Sequence, residues 1–205
     1  MNEFDQKAAT WDEDPSRVDR AKEIAAKMKS LFKGQHYSKA LEYGSGTGLL
    51  GYELLDLFDE LSFMDESKEM TRIAFEKSKR IKTKVIEVKQ YDLMKDPLPK
   101  TRYDFIFSML TMHHIEDTNM ILDKFQTLLN PDGLLLIIDL EKEDGSFHDG
   151  PFSGHLGFDK EDLELKLKKH FLVPTEYKTI YTIKKKGSDT IEREYPLFIS
   201  ISKKN

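Results

Sequence analysis

The sequence contains no cysteine among its 205 residues. This absence excludes disulfides, thiolate metal sites and cysteine nucleophiles together. Glycine and proline are sparse, with 11 and 7 residues, and 39% of the residues are hydrophobic, so the composition is that of a globular protein. The length suits one domain, spanning residues 1–205, with one sizeable hydrophobic core.

An excess of positive charge and long apolar runs are also missing. The formal net charge of -5 gives no general attraction to phosphate backbones or anionic lipids, so we expect no nucleic-acid partner. No stretch approaches the roughly 18 continuous apolar residues of a membrane span, and the chain start lacks the apolar part of a signal peptide. We therefore expect a cytoplasmic enzyme without membrane insertion.

Helical and strand-like patterns alternate along the chain. An amphipathic helix over 16–33 precedes a strand at 40–43, a helix near 47–58 and a strand at 61–64. The pattern continues with a helix near 67–80, strands at 85–88 and 103–108, a helix around 121–129 that stops at Asn130–Gly133, and a strand at 134–140. A further helix is capped by Asp159 and bears Leu163, Leu167 and Phe171. Two strands near 175–184 and 191–202, joined by a turn at 186–189, end the pattern.

The apolar runs of strand length indicate the kind of sheet. Leu134 to Leu140 reads LLLIIDL, which suits a strand covered on both faces, as in parallel sheets flanked by helices. We predict a Rossmann-like, doubly wound α/β fold, mostly parallel, with a C-terminal antiparallel hairpin and helices on both faces. Its parts are an N-terminal helical segment (1–36), a ligand-binding core (37–141) and a C-terminal part with a loop, a helix and the hairpin (142–205).

A glycine-rich loop follows the first predicted strand. The segment EYGSGTG runs from Glu42 to Gly48, and glycines there let the backbone turn sharply and approach a ligand at the helix start. Dinucleotide enzymes use G-x-G-x-x-G at this point, but counting from Gly44 puts Leu49 where the third glycine belongs. The carboxylate of Glu42 would repel a pyrophosphate and attract an ammonium or sulfonium group. The loop therefore predicts a nucleotide-like ligand that carries positive charge.

Two further acids follow the next strands. Asp65 ends the second strand, about twenty residues past the loop, where a carboxylate can bind a ribose diol. Asp92 follows the third strand and can accept a hydrogen bond from an adenine amino group. S-adenosylmethionine has an ammonium, a sulfonium, a ribose diol and an adenine but no phosphate, so it matches these groups. The alternatives are a helix cap at Asp65 and simple turn chemistry at Asp92.

The segments LEYGSGTG, MDES, QYDL, YDFIFSMLTMHH and LLNPDGLLLIID, over residues 38–140, resemble the ordered motifs of class I S-adenosylmethionine-dependent methyltransferases. The resemblance implies methyl transfer from S-adenosylmethionine, with S-adenosylhomocysteine as the product. The opening segment FDQKAATWDEDPSR resembles the entrance lid of the small-molecule branch, similar to ubiquinone and menaquinone biosynthesis methyltransferases. By this resemblance Glu42, Gly44, Gly46 and Gly48 face the methionine part, Asp65 the ribose, and Asp92 with Leu93 the adenine.

Candidates for contact with the methyl acceptor are histidines and aromatic residues. His113 and His114 follow the fourth strand, where an imidazole can take a proton from a hydroxyl or an amine, or can merely pack locally. No metal is expected, because His113, His114 and Glu116 are too close along the chain to converge. Further candidates for substrate contact are Trp11 with Phe4 in the opening segment, His114, and His148 and His155 in the glycine-rich loop 145–157.

The leading hypothesis is a methyltransferase that acts on a small molecule. The alternatives are an NAD-dependent oxidoreductase and a non-catalytic module that only binds S-adenosylmethionine, since the motifs encode cofactor capture alone. None of the motifs specifies the acceptor, the atom that is methylated or the oligomeric state.

Overall fold

One sheet of seven strands organises the computed structural model, which describes residues 3–186 and 191–205. The strands are β1 (Tyr37–Tyr43), β2 (Phe58–Asp65), β3 (Val85–Gln90), β4 (Tyr103–Met109), β5 (Leu129–Leu140), β6 (Leu172–Lys186) and β7 (Glu192–Lys204). Their order is β3-β2-β1-β4-β5-β7-β6, parallel from β3 to β5, with β7 antiparallel to both of its neighbours. The predicted mostly parallel sheet with an antiparallel C-terminal pair is confirmed. All of the predicted turn at 186–189 except Lys186 lies outside the described residues.

Helices cover both faces of this sheet. They are α1 (Glu3–Lys7), α2 (Pro15–Leu31), α3 (Leu49–Glu53), α4 (Lys68–Ser78), α5 (Thr118–Leu128) and α6 (Lys160–Lys169), with 3₁₀ turns at Ala8–Glu13, Leu55–Leu57 and Met112–His114. Side chains of β4 alternate between the faces, so Phe105 packs in one core with Met28 of α2, and Ile106 packs in a second core with Phe125 of α5. This two-sided burial is the predicted doubly wound arrangement.

Capping residues set where two of these helices begin. The carboxylate of Asp14 accepts a hydrogen bond from Ser16 N at 2.9 Å, and α2 then buries one apolar face, as its spacing predicts. Asp159 caps α6 through Glu161 N at 2.9 Å, which confirms that prediction. The placement of Phe171 on the same helix is wrong, because α6 ends at Lys169 and Phe171 lies beyond it with a φ of +57° and 65% of its surface exposed.

Two other boundaries differ from their predictions. The helix expected near 47–58 ends at Glu53, because Phe58 is buried and already begins β2 opposite Tyr37. The stop after α5 is confirmed, but Asn130–Gly133 is assigned to β5, in which Asp132 has a φ of +63°. The register between β4 and β5 shifts at this point.

The strand order brings the predicted ligand residues to one edge. Connections from β1 lead to β2 on one side, whereas β4 pairs with the other side of β1, so the chain direction across the sheet reverses beside β1. The carboxyl ends of parallel strands at such a reversal form a ligand crevice. In the described ranges, no helix is both long and apolar enough to cross a membrane.

Candidate functional site

A cavity of about 980 Å³ opens at the carboxyl edge of the sheet. It is lined by the loop after β1, by Asp65 at the end of β2, by residues 109–117 after β4, by the N-terminal segment and by residues 147–152. A second cavity of about 590 Å³, between α2 and β6, contains none of the predicted site residues. The first cavity is therefore the candidate site.

The glycine loop has a backbone that other residues adopt only with strain. Gly44, Gly46 and Gly48 have φ values of +69°, +53° and +81°. At Gly44 an added Cβ would lie 2.2 Å from the side chain of Thr111, so the loop also packs closely against the end of β4. Gly44 and Gly46 line the cavity, whereas Gly48 is the residue that precedes α3 and lies outside the lining.

Asp65 ties the end of β2 to the glycine loop. Its carboxylate accepts hydrogen bonds from Gly46 N at 2.7 Å and from Ser67 N at 2.8 Å, and it lines the cavity. Burial raises the pKa of Asp65 above its ordinary value. One predicted ligand residue thus holds another in place.

Glu42 is a buried carboxylate at the floor of the cavity. It is 2% exposed, and Gly51 N donates a hydrogen bond to its Oε2 at 3.1 Å. Burial raises the pKa of Glu42 well above its usual range, and the nearby charge of Asp65 acts in the same direction. A Cβ on Gly51 would lie 2.4 Å from Oε2, so only glycine leaves room for this carboxylate. The sequence analysis missed Gly51, which lies three residues past the motif.

Asp92 and Leu93 have different positions. Asp92 lines the cavity, but its carboxylate also accepts a hydrogen bond from Met94 N at 2.8 Å and pairs with Lys95 Nζ at 2.8 Å. The expected turn chemistry is therefore present beside the predicted ligand position. Leu93 is fully buried in the core that contains Phe125 and is not part of the cavity lining.

His113 forms a buried pair with an acid that the sequence analysis missed. The His113 ring lines the cavity, and its Nδ1 lies 2.6 Å from Oδ1 of Asp139 near the end of β5. The backbone N of His113 donates to the second carboxylate oxygen at 3.2 Å. Asp139 is fully buried and is the one acid in the run LLLIIDL, and this isolated charge was the available signal.

Two further imidazoles surround His113. The ring centroids of His114 and His148 lie 4.1 and 5.3 Å from that of His113. Burial lowers the pKa of both His114 and His148 to about 4, and the neighbouring His113 contributes. Both rings are therefore neutral at physiological pH. Phe152 stacks on His148 at 3.5 Å, and the edge of Phe4 meets His114 at 5.3 Å.

His155 does not join this group. Its Nε2 donates to the carbonyl oxygens of Ile115 at 3.0 Å and Glu116 at 3.2 Å, and it is not among the cavity-lining residues. Its backbone N donates to the carbonyl of His113 at 2.7 Å. The structure thus places His155 as an anchor of the 145–157 loop instead of at the expected substrate position.

The N-terminal segment covers the cavity from the other side. Trp11 and Phe4 both line it, with ring centroids 6.1 Å apart. Asp12 accepts a hydrogen bond from Thr47 Oγ1 at 2.5 Å and forms an ion pair with Lys77. The segment is therefore attached directly to the glycine loop. Among the residues placed by the structure, no cluster of three His, Cys, Asp or Glu side chains can hold a metal ion.

The family model of the methyltransferase domain matches residues 16–182 of this chain. The chain belongs to this methyltransferase family. An uncharacterized methyltransferase of Bacillus cereus is 30% identical over 142 residues, which cover 66% of this chain and 65% of the relative. The ubiquinone biosynthesis O-methyltransferase of Pelagibacter ubique is 28% identical over 117 residues, covering 57% and 48%.

A solved structure shares the whole fold. The SAM-dependent methyltransferase from Aquifex aeolicus has a TM-score of 0.70 and 22% identity, and the match covers 97% of both chains. The chain spans less than two thirds of the length of the curated relatives it matches. The predicted membership of a methyltransferase family is confirmed by the family model, and the predicted Rossmann-like fold by the solved structure.

Proposed function

We propose that this chain transfers the methyl group of S-adenosylmethionine to a small-molecule acceptor. One observation carries the proposal: a single cavity contains two chemically different sets of residues. The nucleoside half consists of Glu42, Gly44, Gly46, Asp65 and Asp92. The acceptor half consists of Trp11, His113, His114, His148 and Phe152.

The nucleoside half fits a cationic nucleoside. Glu42 is a buried carboxylate, and a buried carboxylate without a strong partner favours a cation, here the ammonium of the donor. Asp65 would bind the ribose hydroxyls and Asp92 the adenine amino group. In this proposal Gly44 and Gly46 bring their backbone close to the methionine part. Gly48 and Leu93 do not line the cavity and support the residues that do.

The acceptor half contains a base that can take a proton from the methyl acceptor. S-adenosylmethionine supplies an electrophilic methyl group for in-line displacement, and the protein's task is to orient the acceptor and exclude water. The carboxylate of Asp139 accepts the Nδ1 proton of His113, which leaves Nε2 free to take a proton from an acceptor hydroxyl or amine. His114 and His148, whose pKa values burial lowers to about 4, are poor bases. We assign the base to His113 and positioning to Asp139.

The covering segments support a small acceptor. Phe4 and Trp11 on one side and residues 147–152 on the other narrow the cavity entrance, so the proposal gives the N-terminal segment the role of a lid. The net charge of -5 supports the exclusion of nucleic acid. A cytoplasmic place of action is part of the same proposal.

Calorimetry with S-adenosylhomocysteine tests the nucleoside half. We expect binding to the wild-type protein, no binding of NADH, and loss of binding in Asp65→Ala and Asp65→Asn. Asp56→Asn is the matched control, since this carboxylate is 85% exposed and outside the cavity. Tight NADH binding would favour the oxidoreductase alternative instead. Formation of S-adenosylhomocysteine with any small acceptor excludes the non-catalytic module.

A further inference from the structure

Cationic side chains line the cavity at six positions: Lys7, Arg17, Arg20, Lys95, Lys184 and Lys185. Five of these groups are neutralised by a carboxylate. The pairs are Lys7 with Glu3 at 3.1 Å, Arg17 with Asp14 at 3.3 Å, Lys95 with Asp92 at 2.8 Å, Lys184 with Glu194 at 3.0 Å and Lys185 with Asp149 at 2.8 Å.

Arg20 is the exception within the part of the chain that the structure describes. Its Nε is buried and has no hydrogen-bond partner there, and its guanidinium forms no ion pair with a described carboxylate. Burial lowers the pKa of Arg20; the charge of Arg17 one turn away also lowers it and that of Asp14 raises it, but a guanidinium does not give up its proton in a protein. Arg20 is half-buried and its Nε has no hydrogen-bond partner, so this position suits an anion that arrives with a ligand.

The location of Arg20 indicates which ligand that is. Arg20 belongs to α2, which packs beside β6, since Lys27 Nζ of α2 donates to the carbonyl oxygen of Ile180 at 2.6 Å; Ile183 and Lys184 of β6 line the cavity together with Arg20. β6 is the edge strand at the far end of the sheet from β2 and β3, whose ends carry Asp65 and Asp92. Arg20 therefore lies on the side of the acceptor half.

Aromatic rings line the same cavity as Arg20. The Arg17 guanidinium lies 3.9 Å from the centre of the Trp11 ring, and Phe147 and Phe152 are further lining residues. From this arrangement, and resting on the proposed function, we infer that the methyl acceptor is an aromatic compound with an oxyanion that Arg20 binds. A planar guanidinium recognises a carboxylate or a phosphate through two parallel hydrogen bonds.

Matched aromatic probes test this inference in the protein saturated with S-adenosylhomocysteine. Benzoate and phenyl phosphate are titrated beside the neutral benzamide, with binding followed by NMR. At least one anion should bind about 10- to 100-fold more tightly than benzamide, the range for charge-assisted hydrogen bonds. Arg20→Met should abolish this preference and Arg20→Lys should reduce it. Lys22→Met, which removes an exposed charge of the same helix outside the cavity, should retain it.

A second measurement separates the acceptor from the donor as the source of the anion. S-adenosylhomocysteine should bind Arg20→Met as tightly as wild type. A tenfold loss that spares 5′-methylthioadenosine, which lacks the amino-acid carboxylate, would assign Arg20 to the donor and overturn the inference. Equal binding of all aromatic probes to the wild-type protein would overturn it as well. If S-adenosylhomocysteine itself does not bind the wild type, the proposed function fails.

The stability of the free protein gives a readout independent of any ligand. Because Arg20→Met removes a half-buried guanidinium that forms no ion pair in the described part of the chain and whose Nε has no hydrogen-bond partner, its melting temperature should equal or exceed that of the wild type. A fall of several degrees, as expected for a guanidinium that holds the fold together, would contradict the inference.

Discussion

The two halves of the cavity are built in opposite ways. The nucleoside half comes from short segments at the ends of β1, β2 and β3, and its functional groups are carboxylates and glycine backbone. The acceptor half combines the N-terminal segment, the residues after β4, the 147–152 segment and β6, and its groups are imidazoles, aromatic rings and cations. In the proposed function, cofactor recognition is thus local in the sequence, whereas acceptor recognition depends on distant segments meeting in the fold.

The largest expected effect separates chemistry from cofactor binding. Asp139→Asn should lower kcat by about 100-fold or more, because the amide lacks the negative charge and can donate to Nδ1, so it no longer fixes the His113 tautomer that leaves Nε2 unprotonated. The affinity for S-adenosylhomocysteine should not change. Product formation with the acceptor that is methylated fastest measures kcat, and calorimetry measures the affinity for S-adenosylhomocysteine.

A second aspartate–histidine pair provides the control. Asp123 contacts His170 Nδ1 at 2.5 Å outside the cavity, so Asp123→Asn should leave kcat unchanged. Equal losses of kcat in Asp139→Asn and Asp123→Asn would show that Asp139 has a structural role only.

Two glycine substitutions should each affect one half of the cavity. In Gly51→Ala the new Cβ would lie 2.4 Å from Glu42 Oε2, so we expect affinity for S-adenosylhomocysteine to fall by about 10- to 100-fold, as overpacking costs predict. In Gly154→Ala the Cβ would lie 2.2 Å from the carbonyl of His113, so turnover should fall while cofactor affinity is kept. Calorimetry and rate measurements on both variants check this, and a shared loss of cofactor affinity would show that the halves are not independent.

The pH dependence of cofactor affinity tests the nucleoside half alone. The pKa of Glu42 is raised in the free protein, so below that pKa the carboxyl holds a proton, and a bound ammonium expels it. Affinity should therefore rise with pH, by up to about tenfold per unit, until the pH exceeds the raised pKa of Glu42. Calorimetry in buffers of different ionisation enthalpy measures the released proton. Glu42→Gln should bind weakly and release none, and an equal proton release from that variant would assign the effect to another group.

The smallest effect concerns the attachment of the N-terminal segment. Asp12→Ala removes the acceptor of the Thr47 hydrogen bond and the partner of Lys77. Such partly exposed interactions contribute about 1 kcal/mol, so S-adenosylhomocysteine should dissociate about fivefold faster. Stopped-flow measurements compare this variant with Glu13→Ala, an exposed neighbour. An unchanged dissociation rate in Asp12→Ala would mean that the segment does not retain the cofactor.

The sequence predicted the nucleoside half because its chemistry follows the strand ends. Short apolar runs locate β1 and β2, and the carboxyl ends of parallel strands share an edge, so Glu42 and Asp65 were expected to meet. The partners of buried groups were beyond this reasoning. Asp139 looks like an ordinary strand residue, and the lack of a partner for Arg20 is visible only when α2 packs beside β6.

The 145–157 loop is held at both ends, which has a consequence for how new specificities arise. Before the loop, Glu143 N donates to Leu156 O at 3.0 Å; after it, Phe158 N donates to Leu140 O at 2.9 Å, and His155 bonds to the backbone of Ile115 after β4. Phe147, His148 and Phe152 project into the cavity between these points and β5. If the proposed function holds, substitutions within 146–152, in evolution or in the laboratory, would redirect the enzyme to other acceptors and leave the residues at the ends of β1 and β2 unchanged.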